Sequence, residues 1–145
     1  MQNKKIQTKI MVFGTFDGLH EGHLDFFKQA RKLSDNPILI VSIALDKNVA
    51  RIKGTRPILD EKKRFNLVKK CNLVDRVVFG GVKNYISHIQ KIHPSIIALG
   101  YDQVAYIENL KKDLKQAGLL AKVFRLKPYK EKIYKNSLLR KNIQS

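Results

Sequence analysis

Only one cysteine, Cys71, occurs among 145 residues, so no intrachain disulfide can form and no cysteine cluster can hold a metal. No apolar run approaches the roughly 20 residues that cross a bilayer. The apolar stretch Ile10–Phe13 follows a polar, basic start and is too short for a signal-peptide core. Internal repeats, low-complexity tracts and Gly/Ser-rich linkers are all missing, which argues against a repeat array or flexibly joined modules. Acidic residues are scarce: 12 Asp and Glu stand against 29 Lys and Arg, for a formal net charge of +17. Such a surface attracts polyanions, among them nucleotides, phosphorylated metabolites, RNA and acidic membranes. The basic residues are spread along the chain without a dense arm or tail, which weighs against a dedicated nucleic-acid-binding protein. With 43% hydrophobic residues the chain can bury a core, and residues 1–145 suit one compact domain. These features together predict a cytoplasmic protein.

What is present is an alternation of short apolar runs with amphipathic stretches. Ile10–Phe13 reads as a strand, and Gly22–Leu33 as a helix with Leu24, Phe27, Ala30 and Leu33 at helical spacing. Ile38–Leu45, after Pro37, reads as a strand buried on both faces. Asp60 opens a helix with Phe65, Leu67 and Val68 as core positions. Val77–Phe79 is a strand, Tyr85–Ile92 a helix, Ile96–Leu99 a strand, Val104–Ala117 a helix and Val123–Leu126 a last strand. Asn136 or Ser137 can cap a final helix ending near Ile143. The alternation predicts an α/β fold, a doubly wound parallel sheet of about five strands with helices on both faces. Ligands of such sheets sit beyond the C-terminal strand ends, where strand order reverses, and the first strand is normally at that point.

The loop after the first strand runs Gly14-Thr15-Phe16-Asp17-Gly18-Leu19-His20-Glu21-Gly22-His23, straight into a helix. Gly14 lets the backbone approach a ligand. The following amides and the Thr15 hydroxyl can donate to phosphate oxygens, and the helix N-terminus adds unpaired N–H groups. His20 and His23, three residues apart, share one side of the first turn. Two imidazoles there can donate hydrogen bonds to an α-phosphate as charge builds on it, stabilising a transition state without attacking it. Zinc is a poor fit: no third ligand stands nearby, and the histidine spacing of metalloprotease helices is four.

Gly14 to His23 resembles the signature loop of the cytidylyltransferase-like nucleotidyltransferases, a superfamily named for its His-x-Gly-His motif. The likeness runs over nearly the whole chain. Lys53-Gly54-Thr55-Arg56-Pro57-Ile58, with Glu61 and Arg64, resembles the second block, and Val74-Asp75 before a strand fits it too. Ile96 through Gln103 is similar to a segment of archaeal-type FAD synthases, which adenylylate FMN. The resemblance implies a Rossmann-like domain that transfers a nucleoside monophosphate from ATP or CTP to FMN or another phosphorylated small molecule, with Mg²⁺ accompanying the triphosphate. It implies His20, His23 and Lys53 as catalytic residues. It implies Gly14, Thr15, Phe16, Arg64, Gly100, Tyr101, Asp102 and Ser137 on the nucleotide, with no metal-binding residue. Relatives commonly form homodimers. Class I aminoacyl-tRNA synthetases share the histidine motif but are several times longer.

Several alternatives stay open on sequence. Lys53, Arg56 and Arg64 either surround the triphosphate or form a solvated loop and helix face, and Lys47 is a weaker candidate on the same loop. Asp17 either orients a histidine or forms a turn. Asp102 binds base, ribose or hydrated Mg²⁺, or caps a helix. Ser137 holds a phosphate or caps the last helix, in a stretch poorer in hydroxyls than is usual. His88 and His93 read as satisfied surface histidines, and Cys71 as a small buried residue. Rival functions are CTP-dependent transfer to glycerol 3-phosphate, adenylylation of phosphopantetheine or a sugar phosphate, and a non-catalytic nucleotide- or RNA-binding module.

Overall fold

The β-branched run at the start of the chain forms strand β1 (Thr8–Gly14), whose Ile10, Met11 and Val12 have no exposed surface. A computed structural model describes residues 6–81, 85–103 and 107–129. After β1 come α1 (Glu21–Arg31), β2 (Pro37–Ile43), α2 (Asp46–Lys53), α3 (Glu61–Lys69), β3 (Arg76–Phe79), α4 (Tyr85–Ile92), β4 (Ile96–Leu99), α5 (Ile107–Gln116) and β5 (Lys122–Arg125). The five strands pair in the order β3-β2-β1-β4-β5, all in parallel. Strand β1 lies at the centre. Thr8 to Gly14 run beside Pro37 to Ile43 on one flank, and Ile10 and Met11 face Ile96 and Ile97 on the other. The chain winds outward from β1 in both directions, so the reversal of strand order falls between β1 and β4. This is the Rossmann-like, doubly wound α/β arrangement that the alternation of elements implied.

Alternate residues of each strand feed two core layers, because side chains along a strand point to opposite faces. Ile10, Val12, Leu39, Val41 and Ala98 pack with Phe27 and Ala30 of α1 and Val68 of α3. Met11, Ile40, Ile97 and Leu99 pack with Ile89 and Ile92 of α4 and Leu110 and Leu114 of α5. Each fully buried aliphatic or aromatic side chain stabilises the fold by about 1.5–3 kcal/mol. In α1, Phe27 and Ala30 are buried as expected and Leu24 is half-buried, while Leu33, also half-buried, lies past the helix end at Arg31. In α3, Val68 is buried and Phe65 and Leu67 are half-buried. Among the described residues no helix is long and apolar enough to cross a membrane.

The structure departs from the sequence expectation between β2 and α3. The apolar run Ile38–Leu45 does not stay extended to its end: β2 stops at Ile43, and Leu45 becomes the N-cap of α2. Helix α2 was not foreseen, because its charged residues Asp46, Lys47, Arg51 and Lys53 leave Val49 as its buried residue. Its end is set by Gly54, in the left-handed region at φ 79°, whose N–H donates to Ala50 O at 2.8 Å. The helix expected over Val104–Ala117 is described from Ile107 to Gln116. The last helix expected from Asn136 or Ser137 lies outside the described residues.

Candidate active site

The loop leaving β1 ends in a cap made of the two histidines themselves. His20 is the N-cap of α1, and its Nδ1 accepts the Gly22 N–H at 3.0 Å. His23 Nδ1 accepts the N–H of His20 at 3.3 Å. The rings stack with centroids 3.8 Å apart and planes 26° from parallel. An imidazole whose Nδ1 accepts a backbone N–H carries its proton on Nε2. Both rings are thereby fixed in the tautomer that donates from the far edge, at a helix end where unpaired amides favour an anion. His20 is exposed and His23 half-buried.

Gly14 and Phe16 pack against each other. Phe16 is 5% exposed and belongs to the core, set edge-on to His23 at 5.3 Å and against Phe27 at 5.4 Å. Its φ of 53° turns the ring back under the loop. A Cβ at Gly14 would lie 2.5 Å from Phe16 Cε2 and 2.6 Å from Cζ. Gly14 is therefore required by the ring that supports His23, independently of any ligand.

Lys53, the last residue of α2, is exposed and places Nζ 3.5 Å from Thr15 Oγ1. Arg56 and Lys47 are exposed beyond it. Arg64 is where the structure differs most from expectation. It has no exposed surface, and its nitrogens point inward: Nε donates to Leu59 O at 3.0 Å, Nη1 to Thr15 O at 2.8 Å and Nη2 to Asp46 Oδ1 at 2.7 Å. It braces the loop instead of facing an open phosphate site. The guanidinium, and then the Glu61 contact, hold the Asp46 carboxyl below its ordinary range. Asp46 and Glu61 also cap each other's helices, Asp46 N–H to Glu61 Oε1 at 2.9 Å and Glu61 N–H to Asp46 Oδ2 at 3.2 Å.

Asp17 reaches across to the stretch before α3. Its two oxygens accept the N–H groups of Leu59 and Ile58, each at 2.7 Å, and these amides, Leu59 foremost, hold its carboxyl below the usual range. On the other side of the strand reversal, Gln103 ties β4 to β1. Its Oε1 accepts Gly100 N–H at 2.8 Å and its Nε2 donates to Phe13 O at 3.2 Å. Tyr101 is half-buried and Asp102 exposed on that turn, with Gly100 buried beneath them. Beyond β5, Gln29 grips both the N–H and the carbonyl of Lys127, and Tyr129 donates to Glu21. The chain thus returns to the first turn of α1, while Ser137 lies outside the described residues.

Outside the loop, His88 is no plain surface histidine. It is half-buried, and its Nε2 lies 2.8 Å from the hydroxyl of buried Ser42. Burial, aided by Lys91, pushes its pKa down. His93 is exposed at φ 56°, where its N–H closes α4 on Ile89 O at 2.7 Å. Cys71 is half-buried against the core. Asp46 and Gln103 went unassigned in the sequence because the partners that fix them, Arg64 and Glu61 for Asp46 and Phe13 for Gln103, lie in other elements.

The cytidylyltransferase-like family model matches residues 11–144. The FAD synthase of Methanosarcina barkeri is 42% identical over 124 residues, covering 86% of each chain. The FAD synthase of Thermoplasma acidophilum is 35% identical over 135 residues, covering 93% of each. A crystal structure described as the lipopolysaccharide core biosynthesis protein from Thermoplasma volcanium superposes with a TM-score of 0.77 at 34% identity. That match covers 84% of this chain and 98% of that one.

Proposed function

The chain belongs to the cytidylyltransferase-like family, and from that premise we propose that it is an FAD synthase, transferring AMP from ATP to FMN and releasing pyrophosphate. The observation that carries the reading is the pair of stacked imidazoles, each with Nδ1 accepting a backbone N–H, at the N-terminus of the helix that follows the central strand. The FAD synthases among its relatives supply the choice of acceptor.

A terminal phosphate oxygen of FMN attacks the α-phosphorus of ATP, one P–O bond forms as the bond to pyrophosphate breaks, and no proton need be abstracted. The second ionisation of a phosphomonoester lies near pH 6, so the nucleophile is already largely charged at neutral pH. The protein's task is to hold two anions together and meet the charge that grows on the α-phosphoryl oxygens. His20 and His23 donate to those oxygens. Lys53 and the Thr15 hydroxyl serve the triphosphate, and Gly100, Tyr101 and Asp102 border the base and ribose on the β4 side. Ser137 completes the proposed phosphate set. Gly14, Phe16 and Arg64 act through the loop, as its packing partners.

Among the described residues no group of three His, Cys, Asp or Glu side chains is placed to hold a metal ion. A Mg²⁺ that arrives on the triphosphate would take most of its ligands from phosphate and water. When bound, that ion neutralises phosphate charge. Its action in the cytoplasm, where both substrates are soluble, completes the reading.

The test pairs ATP or CTP with FMN, glycerol 3-phosphate or phosphopantetheine and follows pyrophosphate release. FAD formation from ATP and FMN is expected. Brisk CDP-glycerol formation with no FAD overturns the assignment, and salt-sensitive RNA binding with no turnover of any pair favours a non-catalytic module. His20→Asn keeps a capping oxygen but loses the Nε2 donor, and its kcat should fall about 10²–10³-fold with the fold intact.

A further inference from the structure

The stretch that follows α2 has little apolar burial to hold it. Lys53 through Arg56 are exposed, Ile58 is 92% exposed and Ile52, one residue before Lys53, is 65% exposed. Yet this stretch sets where Lys53 stands relative to the histidine loop. Two polar grips fix it. Arg64 works from beneath, joining Leu59 O to Thr15 O in the interior. Asp17 works from the solvent side, where both carboxylate oxygens take adjacent amides at 2.7 Å. A two-oxygen grip on consecutive N–H groups fixes orientation as well as distance, and an ionised acceptor makes both bonds short. Leu59 is thus held by its N–H and by its carbonyl from opposite sides.

The geometry points to Asp17 as a positioning residue for nucleotidyl transfer, clasping the 58–59 backbone so that Lys53 stays beside Thr15 in the histidine loop. The inference rests on the reaction proposed above. Asp17 touches no substrate and acts through Lys53. Because its bonds lie on the outer side of the loop and Arg64 retains the inner ones, its loss loosens the site without opening the core.

The experiment is a double-mutant cycle with Asp17→Ala, Lys53→Ala and the double variant. It is read on kcat/KM for ATP with FMN and, independently of turnover, on the Kd of Mg-ATP. Asp17→Ala should lower kcat/KM about 10²-fold, the scale of an ångström of misplacement, with the unfolding midpoint near that of the wild type. The double variant should be no worse than Lys53→Ala alone, since the clasp matters only through the lysine. Asp17→Asn, with one acceptor oxygen left, should recover part of the loss. Independent, multiplicative losses overturn the proposal, as does a collapse of the unfolding midpoint in both Asp17 variants. A wild type that makes no FAD but shows coupled losses of Mg-ATP affinity refutes the FMN assignment and leaves the clasp standing.

Discussion

Replacing Arg64 by methionine removes three donors from the interior at once. Arg64 has no exposed surface, and its nitrogens lie between 2.7 and 3.0 Å from Asp46, Thr15 and Leu59. Taking one partner from a buried ion pair costs about 3–5 kcal/mol, because the other charge is stranded. Asp46 is 21% exposed at its side chain, so water recovers part of its solvation, and the apolar methionine fills most of the vacated volume. The carbonyls of Thr15 and Leu59 each lose a donor, which pulls the other way. The net expectation is a loss of about 3 kcal/mol. At this chain length that lowers Tm by roughly 10 °C, at about 2–4 °C for each kcal/mol. Urea unfolding followed by circular dichroism should show a lower midpoint with an unchanged m-value. Adding Asp46→Asn removes the stranded carboxylate, so the double variant should be less destabilised than the sum of its parts. An Arg64→Met variant within about 0.5 kcal/mol of the wild type, the range of an ordinary surface substitution, would refute the bracing role and return Arg64 to the phosphates.

Gly14→Ala should destabilise by about 1–3 kcal/mol, since a new methyl group must displace a ring that the core holds in place; an unchanged urea midpoint would show that Phe16 can swing aside. Burial depresses the pKa of His88, so its neutral form is the one folding favours. Its contribution is whole above the unfolded value of about 6.5 and is lost as pH falls through the lower folded value. Melting temperatures between pH 7 and 5 should therefore decline less in His88→Gln than in the wild type, and parallel declines would count against the histidine. Asp46, also depressed, should stabilise above the unfolded value of about 3.9 and be lost as pH falls through its lower folded value. Acid titrations of the wild type and Arg64→Met should diverge above that window and converge below it.

The order of strands and helices was legible because β-branched runs and amphipathic stretches obey different periods, and those periods survive in a single sequence. The histidine pair was legible for the same local reason: a cap, a turn and a helix start occupy consecutive residues. Helix α2 was not, since its one buried residue, Val49, makes no stripe. Arg64 read as a solvated or phosphate-facing cation, because its burial depends on Asp46, Thr15 and Leu59, which only the folded chain brings together. Asp17 was noticed, but its two backbone partners were not foreseen. Its partners lie more than 40 residues onward, beyond the reach of any turn rule. Gly14 gave the right residue for an incomplete reason, since the neighbour it spares is Phe16.

The place of β1 in the sheet bears on how a nascent chain acquires its reactive loop. Of the described strands it is synthesised before the other four, but its second flank is not covered until Ile96 and Ile97 arrive, and the anchor from Gln103 to Phe13 comes later still. Synthesis proceeds from the N-terminus at about 5–20 residues per second, so for several seconds the loop hangs from a half-paired edge. A chain stalled before β4 would carry every residue of the histidine motif but lack the pairing on the second flank of the strand that bears it.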